Sequence, residues 1–380
     1  MQNFDFKNPT RIIFGRGGIA RLSDVIPADA RILMIYGGGS IKKNGVHDQV
    51  MAALEGREVQ EFGGIEPNPT YETCMGAVHL CRREGLDYLL AVGGGSVIDA
   101  TKFIAAAVGF TGDDPWDILR TFGANVESAL PFSTVLTLPA TGSEANSGSV
   151  ISKKSSEEKL IFGSPLVFPQ VSVLDPATTF SLPTKQVRNG LVDAFAHVCE
   201  QYVTSDNGAD LQSRLAEGVL HALVTNAPAC LAESDNYDAR AEFMWSATMA
   251  LNGLLGKGVT SDWSTHMIGH ELTAFYGLDH AETLAVVLPG VWKAQLESKR
   301  TKLEQMGERV FGVKGAEAAI AAVEGFFNGL DMPTRLGDHQ VDATEAADRI
   351  AERFETRGTV LGEEKDLTPA RVREIVQSRG

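Results

Sequence analysis

The sequence contains few cysteines, and their spacing excludes several classes of protein. Among 380 residues there are four, Cys74, Cys81, Cys199 and Cys230, and no two of them form a CxxC pair. Disulfide frameworks and zinc–thiolate sites need paired or densely spaced cysteines, so we expect a chain that functions in a reducing compartment. Cys74 and Cys81 fall on one face of a predicted helix and are expected to pack in the core.

Long apolar runs and an excess of positive charge are also lacking. Nowhere do about 18 apolar residues follow one another, as a membrane span requires. Asp5 lies where a signal peptide needs its apolar stretch. Lys and Arg number 34 and Asp and Glu 49, which gives a net charge of −15 that would repel nucleic acid and anionic membranes. We therefore expect a soluble, cytoplasmic protein that binds neither.

The length and the hydrophobic patterns predict two domains. About 100–200 residues form a typical domain. Up to Pro183 helical stretches alternate with apolar runs that lack polar alternation, which is typical of parallel strands covered on both faces. These runs are Arg31–Tyr36, Asp87–Val92, Val135–Leu138 and Val171–Leu174. From Lys185 onward apolar residues recur at helical spacing. We predict a doubly wound α/β, nucleotide-binding domain over residues 1–183 and a helical, metal-binding domain over residues 184–380.

Glycine-rich turns are the first candidate functional motifs. Gly15 to Ala20 matches GxGxxA, but the preceding strand is short and an ordinary turn is the better interpretation. Gly37-Gly38-Gly39 and Gly93-Gly94-Gly95 each follow a buried strand and are expected to open a helix, where backbone N–H groups receive phosphate oxygens. Ser96 adds a hydroxyl donor, and Asp99 and Lys102 are expected to face the turn. Tight strand-to-helix connections alone would also explain either turn.

The segment LTLPATGSEAN contributes short polar side chains around Gly142. Thr137, Thr141, Ser143 and Asn146 could hold a ribose or a diphosphate. A polar loop satisfied by its own backbone would have the same composition.

Histidines and one carboxylate form a metal-ligand pattern in the second half. Asp193 and His197 are four residues apart, on one face of a predicted helix, and His266, His270 and His280 follow. Imidazole with carboxylate suits Zn²⁺ or Fe²⁺. A single histidine on an apolar helix is more often a core residue, but the joint pattern favours a metal site. HxxxH lacks the Glu of the HExxH signature, so protease chemistry has no general base.

Several long motifs together resemble the iron-containing, group III, alcohol dehydrogenases. The resemblance covers almost the whole chain and is strongest to the NADPH-dependent aldehyde reductase and butanol dehydrogenase branch. It is carried by RIIFGRGG, EFGGIEPNPT, AVGGGSVIDATKFIAA, LTLPATGSEAN, VSVLDP, LVDAFAHVCEQY and HMIGHELTAFYGLDHAETLAVVLP. The resemblance implies a Rossmann-like amino-terminal domain, a helical carboxyl-terminal domain of the dehydroquinate-synthase type of architecture, NADP(H) and one divalent metal, Fe²⁺ or Zn²⁺.

The resemblance also implies individual roles. The metal ligands would be Asp193, His197, His266 and His280, and His270 would be a non-ligand histidine near the nicotinamide. Gly94, Gly95 and Ser96 would hold the diphosphate, with Asp99 beside the nicotinamide end. The other positions expected to line the coenzyme are Asn68, Thr137, Thr141, Asn146 and Lys159. The chain departs from the family at Ala281 and Glu282, where many members have a Gly and Asn pattern.

The expected reaction is hydride transfer between NADPH and a small or medium aldehyde, with the metal as Lewis acid. His270 is the candidate for proton relay, and pocket lining is its alternative role. Trp263, Met267, Phe275 and Tyr276 predict a broad apolar pocket. The strand Arg11–Phe14 resembles an edge segment that pairs between subunits of a homodimer.

The coenzyme is predicted to be NADPH rather than NADH. NAD-selective folds place an acid near the end of the strand that reaches the adenine ribose. Between Gly37 and Lys43 there is none. Gly38, Gly39 and Ser40 offer donors to a 2′-phosphate and Lys42 and Lys43 offer positive charge, although the two lysines would also suit a solvated helix start.

Three other functions remain open from the sequence. A lyase of the dehydroquinate-synthase type should carry extra basic residues near the metal ligands, and Asp262 to Leu284 contains no Lys or Arg. A polyol dehydrogenase such as a glycerol dehydrogenase usually lacks one of these histidines. A catalytically silent metal- or nucleotide-binding scaffold would not need intact ligand and glycine motifs.

Overall fold

The computed structural model describes residues 1–380 and divides them into two compact units. The α/β unit consists of Lys7–Pro183 with Ala232–Thr248, and the helical unit consists of Met1–Phe6, Thr184–Leu231 and Met249–Gly380. A parallel sheet lies in the first unit and the second is helical. The predicted fold class, a Rossmann-like α/β domain followed by a helical domain, is confirmed.

The α/β unit is built on a six-stranded sheet of order β1-β8-β5-β4-β2-β3, in which every pairing is parallel. Its strands are β1 (Arg11–Phe14), β2 (Ile32–Tyr36), β3 (Val59–Phe62), β4 (Tyr88–Gly94), β5 (Phe132–Leu138) and β8 (Val171–Leu174). All five residues of β2 are buried. Alternate β2 residues belong to separate hydrophobic clusters, Leu33 to one and Met34 to the other. The sheet is therefore covered on both faces, as its continuous apolar runs predict.

Helices connect these strands. They are α1 (Leu22–Val25), α2 (Val46–Ala53), α3 (Tyr71–Glu84), α4 (Gly95–Val108) and α5 (Asp117–Arg120). Helix α3 is the predicted one: the Thr70 side chain caps its first turn, and Gly85 ends it with φ of 64°. Cys74 and Cys81 lie on its buried face, so their core position is confirmed.

Two features of the α/β unit differ from the sequence prediction. The first triple-glycine turn opens only a 3₁₀ turn, Ser40–Lys42, and α2 begins later, at Val46. The expectation that this turn opens an α-helix directly is wrong. An antiparallel hairpin, β6 (Gly148–Lys153) with β7 (Glu158–Gly163), was not predicted, because most residues of its strands are half-exposed and give no clear hydrophobic run.

The helical unit contains the remaining long helices. They are α6 (Thr184–Tyr202), α7 (Asp210–Ala232), α9 (Ser264–Tyr276), α10 (His280–Ala294), α11 (Leu296–Met306), α12 (Ala316–Gly329), α13 (Ala343–Arg357) and α14 (Pro369–Gln377). Helix α8 (Tyr237–Ala250) belongs for most of its length to the α/β unit, where the Thr248 hydroxyl donates to Glu144 Oε1 at 2.5 Å.

Helix α7 is the one helix that is long and apolar enough to cross a membrane, judged by length and composition alone. Such a helix is weak evidence for a span, because core helices of globular proteins pass the same test. Within the helical unit, Glu217 of α7 is buried and accepts a hydrogen bond from Tyr202 of α6 at 2.8 Å.

Candidate metal centre and nucleotide site

Helix α6 presents two carboxylates and one imidazole on one buried face. Asp193, His197 and Glu200 follow one another at intervals of four and three residues and are each at most 4% exposed. That spacing places them in a row along the helix. Valine, leucine and phenylalanine occupy the positions around them, so the polar row lies in an apolar setting.

Three imidazoles, from helices α6, α9 and α10, converge on Asp193 Oδ1. This oxygen is 3.5 Å from His197 Nδ1, 3.9 Å from His266 Nε2 of α9 and 3.6 Å from His280 Nε2 of α10. The ligand atoms of Asp193, His266 and His280 all lie within 4.8 Å of one another. His197 adjoins this group, with its Nε2 atom 3.0 Å from His266 Nε2. The helices thus bring together all four residues that the sequence proposes as ligands.

Glu200 orients the His266 ring. Its Oε2 atom contacts His266 Nδ1, and its Oε1 atom accepts the backbone N–H groups of Thr265 and His266. A proton on Nδ1 leaves the lone pair of Nε2 facing Asp193. Burial, reinforced by nearby Asp262, raises the pKa of Glu200 well above its usual range. Sequence reasoning missed Glu200, although an acid three residues beyond His197 on the same apolar helix face was a usable signal.

The chemistry of this cluster fits a divalent cation. Asp193 Oδ1 is buried and has no hydrogen-bond partner. A buried carboxylate oxygen without a donor is costly unless a cation satisfies it. Three imidazoles and one carboxylate form a mixed nitrogen and oxygen set that suits Fe²⁺ or Zn²⁺ and does not suit Ca²⁺.

His270 lies next to the cluster, one turn beyond His266 on α9. It is 7% exposed, and its ring centroid is 5.4 Å from that of His280. Trp263 is similarly close, with its ring centroid 5.4 Å from that of His266. Phe275, which the sequence predicts in the substrate wall, has the guanidinium carbons of Arg349 and Arg353 within 3.9 Å of its ring centroid.

The residues that depart from the family motif have a structural role. Asp279 and Glu282 form a capping box at the start of α10, in which the Asp279 N–H donates to Glu282 Oε2 at 3.0 Å. Lys185 of α6 pairs with both carboxylates, at 2.8 Å and 3.2 Å. Ala281 is buried. The change to Glu282 therefore fixes the helix terminus that carries His280.

Most of the predicted nucleotide-binding residues follow strands β2, β4 and β5, which are neighbours in the sheet. Strand β4 runs directly into α4 at Gly94, and no side chain caps the amino terminus of α4. A side chain on Gly95 would overlap Thr141 of the loop after β5, so this turn requires glycine. The uncapped N–H groups and the close turn form a site suited to phosphate.

The other predicted coenzyme residues also lie in the α/β unit. Asn68 has φ of 56° and accepts a hydrogen bond from Lys159 Nζ at 2.9 Å, so these two are in contact. Thr137 lies near the end of β5 and is 8% exposed. The Asp99 carboxylate accepts a hydrogen bond from the Ser143 hydroxyl at 2.6 Å and another from the Val150 N–H at 3.0 Å.

Two predicted polar groups, Asn146 and Lys102, are engaged within the protein. The Asn146 side chain donates to Gly142 O at 2.9 Å and accepts from the Gly148 N–H at 3.0 Å. Lys102 does not face the turn as expected, because its amine is buried against Ser143, Asn146 and Gly148. Burial lowers the pKa of Lys102 to about 8, against the opposing effects of Asp99 and Glu144.

An acid does lie near the first triple-glycine turn, on the neighbouring strand. Glu61 of β3 pairs with Lys42 Nζ at 2.7 Å. Burial raises the pKa of Glu61, but hydrogen bonds from Lys42, His47 and Tyr36 outweigh it and lower the pKa to about 2. Both Lys42 and Lys43 are exposed, and the positive charge of Lys42 is balanced by its ion pair with Glu61. An open pocket of about 240 Å³ follows this turn and is lined by Asn44, Val46, Gln49, Asp175, Ala177, Thr178, Phe180 and Ser181.

Comparison with known proteins identifies the family. The model of the iron-containing alcohol dehydrogenases matches residues 9–176, and the model of the Fe-containing alcohol dehydrogenase family, C-terminal, matches residues 188–378. The chain belongs to the iron-containing alcohol dehydrogenase family. The resemblance carried by the sequence motifs is thereby confirmed.

Several relatives in this family are similar over nearly their whole length. The NADPH-dependent aldehyde reductase YqhD of Escherichia coli is 53% identical over 97% of both chains, and its crystal structure has a TM-score of 0.98 at 52% identity, covering 100% of this chain and 99% of that one. NADP-dependent alcohol dehydrogenase 3 of Entamoeba histolytica is 44% identical over 97% of this chain and 96% of its own. Probable NADH-dependent butanol dehydrogenase 1 of Bacillus subtilis is 41% identical over 100% of both.

Proposed function

We propose that this iron-containing alcohol dehydrogenase is a metal-dependent, NADPH-dependent aldehyde reductase acting on small and medium aldehydes. The observation that carries the proposal is the convergence of His197, His266 and His280 on the buried Asp193 Oδ1, an oxygen that has no hydrogen-bond partner. Residues 1–183 are assigned to coenzyme binding and residues 184–380 to metal binding. The similarity to YqhD of Escherichia coli supports the reaction and the coenzyme.

The four converging side chains would hold one divalent metal, Fe²⁺ or Zn²⁺. When bound, the metal supplies a Lewis acid that polarises the aldehyde oxygen. Asp193 contributes the single negative charge of the set, and Glu200 fixes the ring of His266 so that Nε2 faces the cluster. Such support of a ligand ring typically changes metal affinity by 10–100-fold.

The α/β unit would bind and orient NADPH. The amino terminus of α4, with Gly94, Gly95 and Ser96, would receive the diphosphate, while Asp99, Thr137, Thr141, Asn146, Asn68 and Lys159 would support the rest of the coenzyme. Gly38, Gly39 and Ser40 would receive the 2′-phosphate with the help of exposed Lys43. Because Lys42 is paired with Glu61, its charge contributes less than the sequence suggests.

His270 is the proposed proton relay. Its imidazole lies beside that of His280, with ring centroids 5.4 Å apart, and histidine exchanges protons near neutral pH. In the direction of reduction it would deliver the proton that converts the alkoxide oxygen to the alcohol. Trp263 and Met267 would form apolar walls of a pocket of broad specificity.

The family also supports a proposal for the location, oligomeric state and partners of the protein. We propose a cytoplasmic homodimer that pairs through the edge strand β1, with an aldehyde or alcohol as its small-molecule partner and no nucleic acid or membrane.

Aldehyde-dependent oxidation of NADPH tests this function. The purified protein, loaded in turn with Fe²⁺ and Zn²⁺, is assayed with propanal, butanal and a sugar aldehyde. We expect turnover of the two alkyl aldehydes and at least ~10²-fold lower turnover after Asp193→Ala, because transition-state charge loses its stabilisation. His221→Ala, at an exposed position on α7, is the control. Full activity in metal-free protein, or strict selectivity for a charged substrate, would contradict the proposal.

A further inference from the structure

Lys102 is a fully buried lysine whose three hydrogen-bond partners are all uncharged. Its side chain leaves α4 and is 0% exposed. The amine donates to Ser143 Oγ at 2.7 Å, to Asn146 Oδ1 at 2.9 Å and to Gly148 O at 2.7 Å. Burying a charge is expensive unless it is paired or performs a task. The cost of burying the Lys102 ammonium therefore indicates that this group has a task in the protein.

The three partners require the protonated amine. Ser143 gives its own proton to Asp99 Oδ1 at 2.6 Å, so its oxygen can only accept from Lys102. Asn146 turns its Nδ2 toward Gly142 O at 2.9 Å, and its Oδ1 is therefore an acceptor as well. Gly148 contributes a carbonyl. Only an ammonium has three N–H groups for three acceptors, whereas a neutral amine has two.

The charged groups around this ammonium are few. Asp99 lies behind Ser143 and also accepts the Val150 N–H at 3.0 Å. Glu144 is buried beside the network and accepts Thr248 Oγ1. Burial raises the pKa of the Asp99 carboxyl, against the opposing effects of the positive charges of Lys102 and Lys159.

The ammonium holds a loop against the beginning of its own helix. Ser143 and Asn146 belong to the segment between β5 and β6, which also carries Thr141, and Gly148 is the first residue of β6. Thr141 packs against Gly95 so closely that a side chain there would overlap it. Lys102 thus connects residues 141–148 by hydrogen bonds to α4, the helix whose first-turn N–H groups have no side-chain cap.

We propose that Lys102 is a positioning residue for the coenzyme, whose ammonium holds residues 141–148 over the first turn of α4 in the shape that receives NADPH. In this assignment Asn146 acts through the same network, by fixing the Thr141–Ser143 turn. The inference rests on the proposed function and adds to it a residue and a pH dependence. Loss of the Lys102 proton breaks one of three hydrogen bonds and loosens the loop.

The pH dependence has opposite signs for binding and for folding. Since burial lowers the pKa of Lys102 to about 8, coenzyme affinity should fall as the pH rises through that value. The unfolded lysine has an ordinary pKa of 10.5. Between the two values the unfolded chain binds more protons, so the contribution of Lys102 to the free energy of unfolding rises with pH. Weaker binding at alkaline pH is therefore separable from unfolding.

Coenzyme titration of the metal-loaded enzyme tests the proposal. The dissociation constant of NADPH is measured by fluorescence from pH ~6.5 to ~9.5 for the wild type, Lys102→Met and Lys154→Met, the last at an exposed lysine that pairs with Glu66. We expect the wild-type constant to rise about tenfold across pH 8, Lys102→Met to bind about tenfold more weakly with a flat profile, and Lys154→Met to follow the wild type.

Hydrogen exchange at the backbone amides of residues 141–150 provides a readout that needs no coenzyme. Exchange should be faster in Lys102→Met and in Ser143→Ala, a milder variant that removes one acceptor and the link to Asp99. Equal affinity, an unchanged pH profile and unchanged exchange in folded variants would overturn the inference. Failure of the wild type to bind NADPH at any pH, with exchange still dependent on Lys102, would instead overturn the proposed function.

Discussion

Glu200 contacts the ring of His266, one of the four proposed metal ligands. Its carboxylate receives two backbone N–H groups from the start of α9 and contacts Nδ1 of His266. Glu200→Gln replaces one accepting oxygen with a donor and should disturb the ring. We expect metal affinity to fall about 10–100-fold, measured by competition with a chelator.

The control for this variant is Glu217→Gln, another buried acid of the helical unit, which pairs with Tyr202 and Arg309 away from the cluster. It should leave metal affinity unchanged. If Glu200→Gln keeps wild-type affinity while folded, Glu200 only caps the first turn of α9.

Gly38 offers a clean test of coenzyme selectivity. A side chain built there meets no atom within 4 Å, whereas Gly39 has φ of 87° and would be strained by any substitution. Gly38→Asp places a carboxylate where the 2′-phosphate is proposed to bind. We expect kcat/KM for NADPH to fall by about tenfold or more and that for NADH to be spared. Gly38→Ala is the matched control. If Gly38→Asp keeps the wild-type preference for NADPH over NADH, the turn does not bind the 2′-phosphate.

Local spacing indicated a metal-ligand pattern and the family resemblance selected the four ligands, but neither revealed partners that are distant along the chain. Asp193 and His197 share a helix face, and His266 and His280 flank a second helical segment. The pairing of Lys42 with Glu61 joins β3 to the 3₁₀ turn after β2, and no local pattern predicts it. The contacts of Lys102 with Ser143 and Gly148 are also long-range, since these residues are about 40 positions away.

The connection from β4 to α4 depends on the absence of side chains. An alanine at Gly95 would place its methyl group against Thr141, and overpacking of this kind costs about 1–3 kcal/mol. We expect Gly95→Ala to weaken NADPH binding at least tenfold and to lower the melting temperature, measured by fluorescence titration and calorimetry. Gly218→Ala, at an open position on α7, is the control. Wild-type affinity in Gly95→Ala would show that the loop shifts without consequence for the site.

The sequence predicts an element well when the burial of its residues produces a single clear hydrophobic pattern or when capping residues mark its ends. Strand β8 is buried throughout and has the predicted bounds, and α3 begins and ends at its own capping signals. Strand β3 (VQEF) is an edge strand without a fully buried residue. The hairpin of β6 and β7 mixes buried and half-exposed positions, so neither hydrophobic period is strong. Edge position and partial exposure explain why these strands were missed.

Metal binding should stabilise the whole protein against heat. The four proposed ligands come from α6, α9 and α10, and a metal held only by the folded arrangement raises the free energy of unfolding, by about 2.7 kcal/mol at a hundredfold excess over its Kd. We expect the melting temperature to rise when Fe²⁺ or Zn²⁺ is added to chelator-treated protein. The same addition should leave Asp193→Ala unchanged, and a rise of equal size in that variant would place the metal elsewhere.

The complete burial of Lys102 has a consequence for the durability of an enzyme that handles aldehydes. An unprotonated amine attacks a carbonyl carbon and forms a Schiff base with loss of water. With a pKa of about 8, the Lys102 amine loses its proton more readily than an ordinary lysine and would be a strong nucleophile if a substrate reached it. Because its side chain is 0% exposed, no aldehyde reaches that amine in the folded protein. The burial that lowers its pKa thus also shields the enzyme from covalent inactivation by its own substrate.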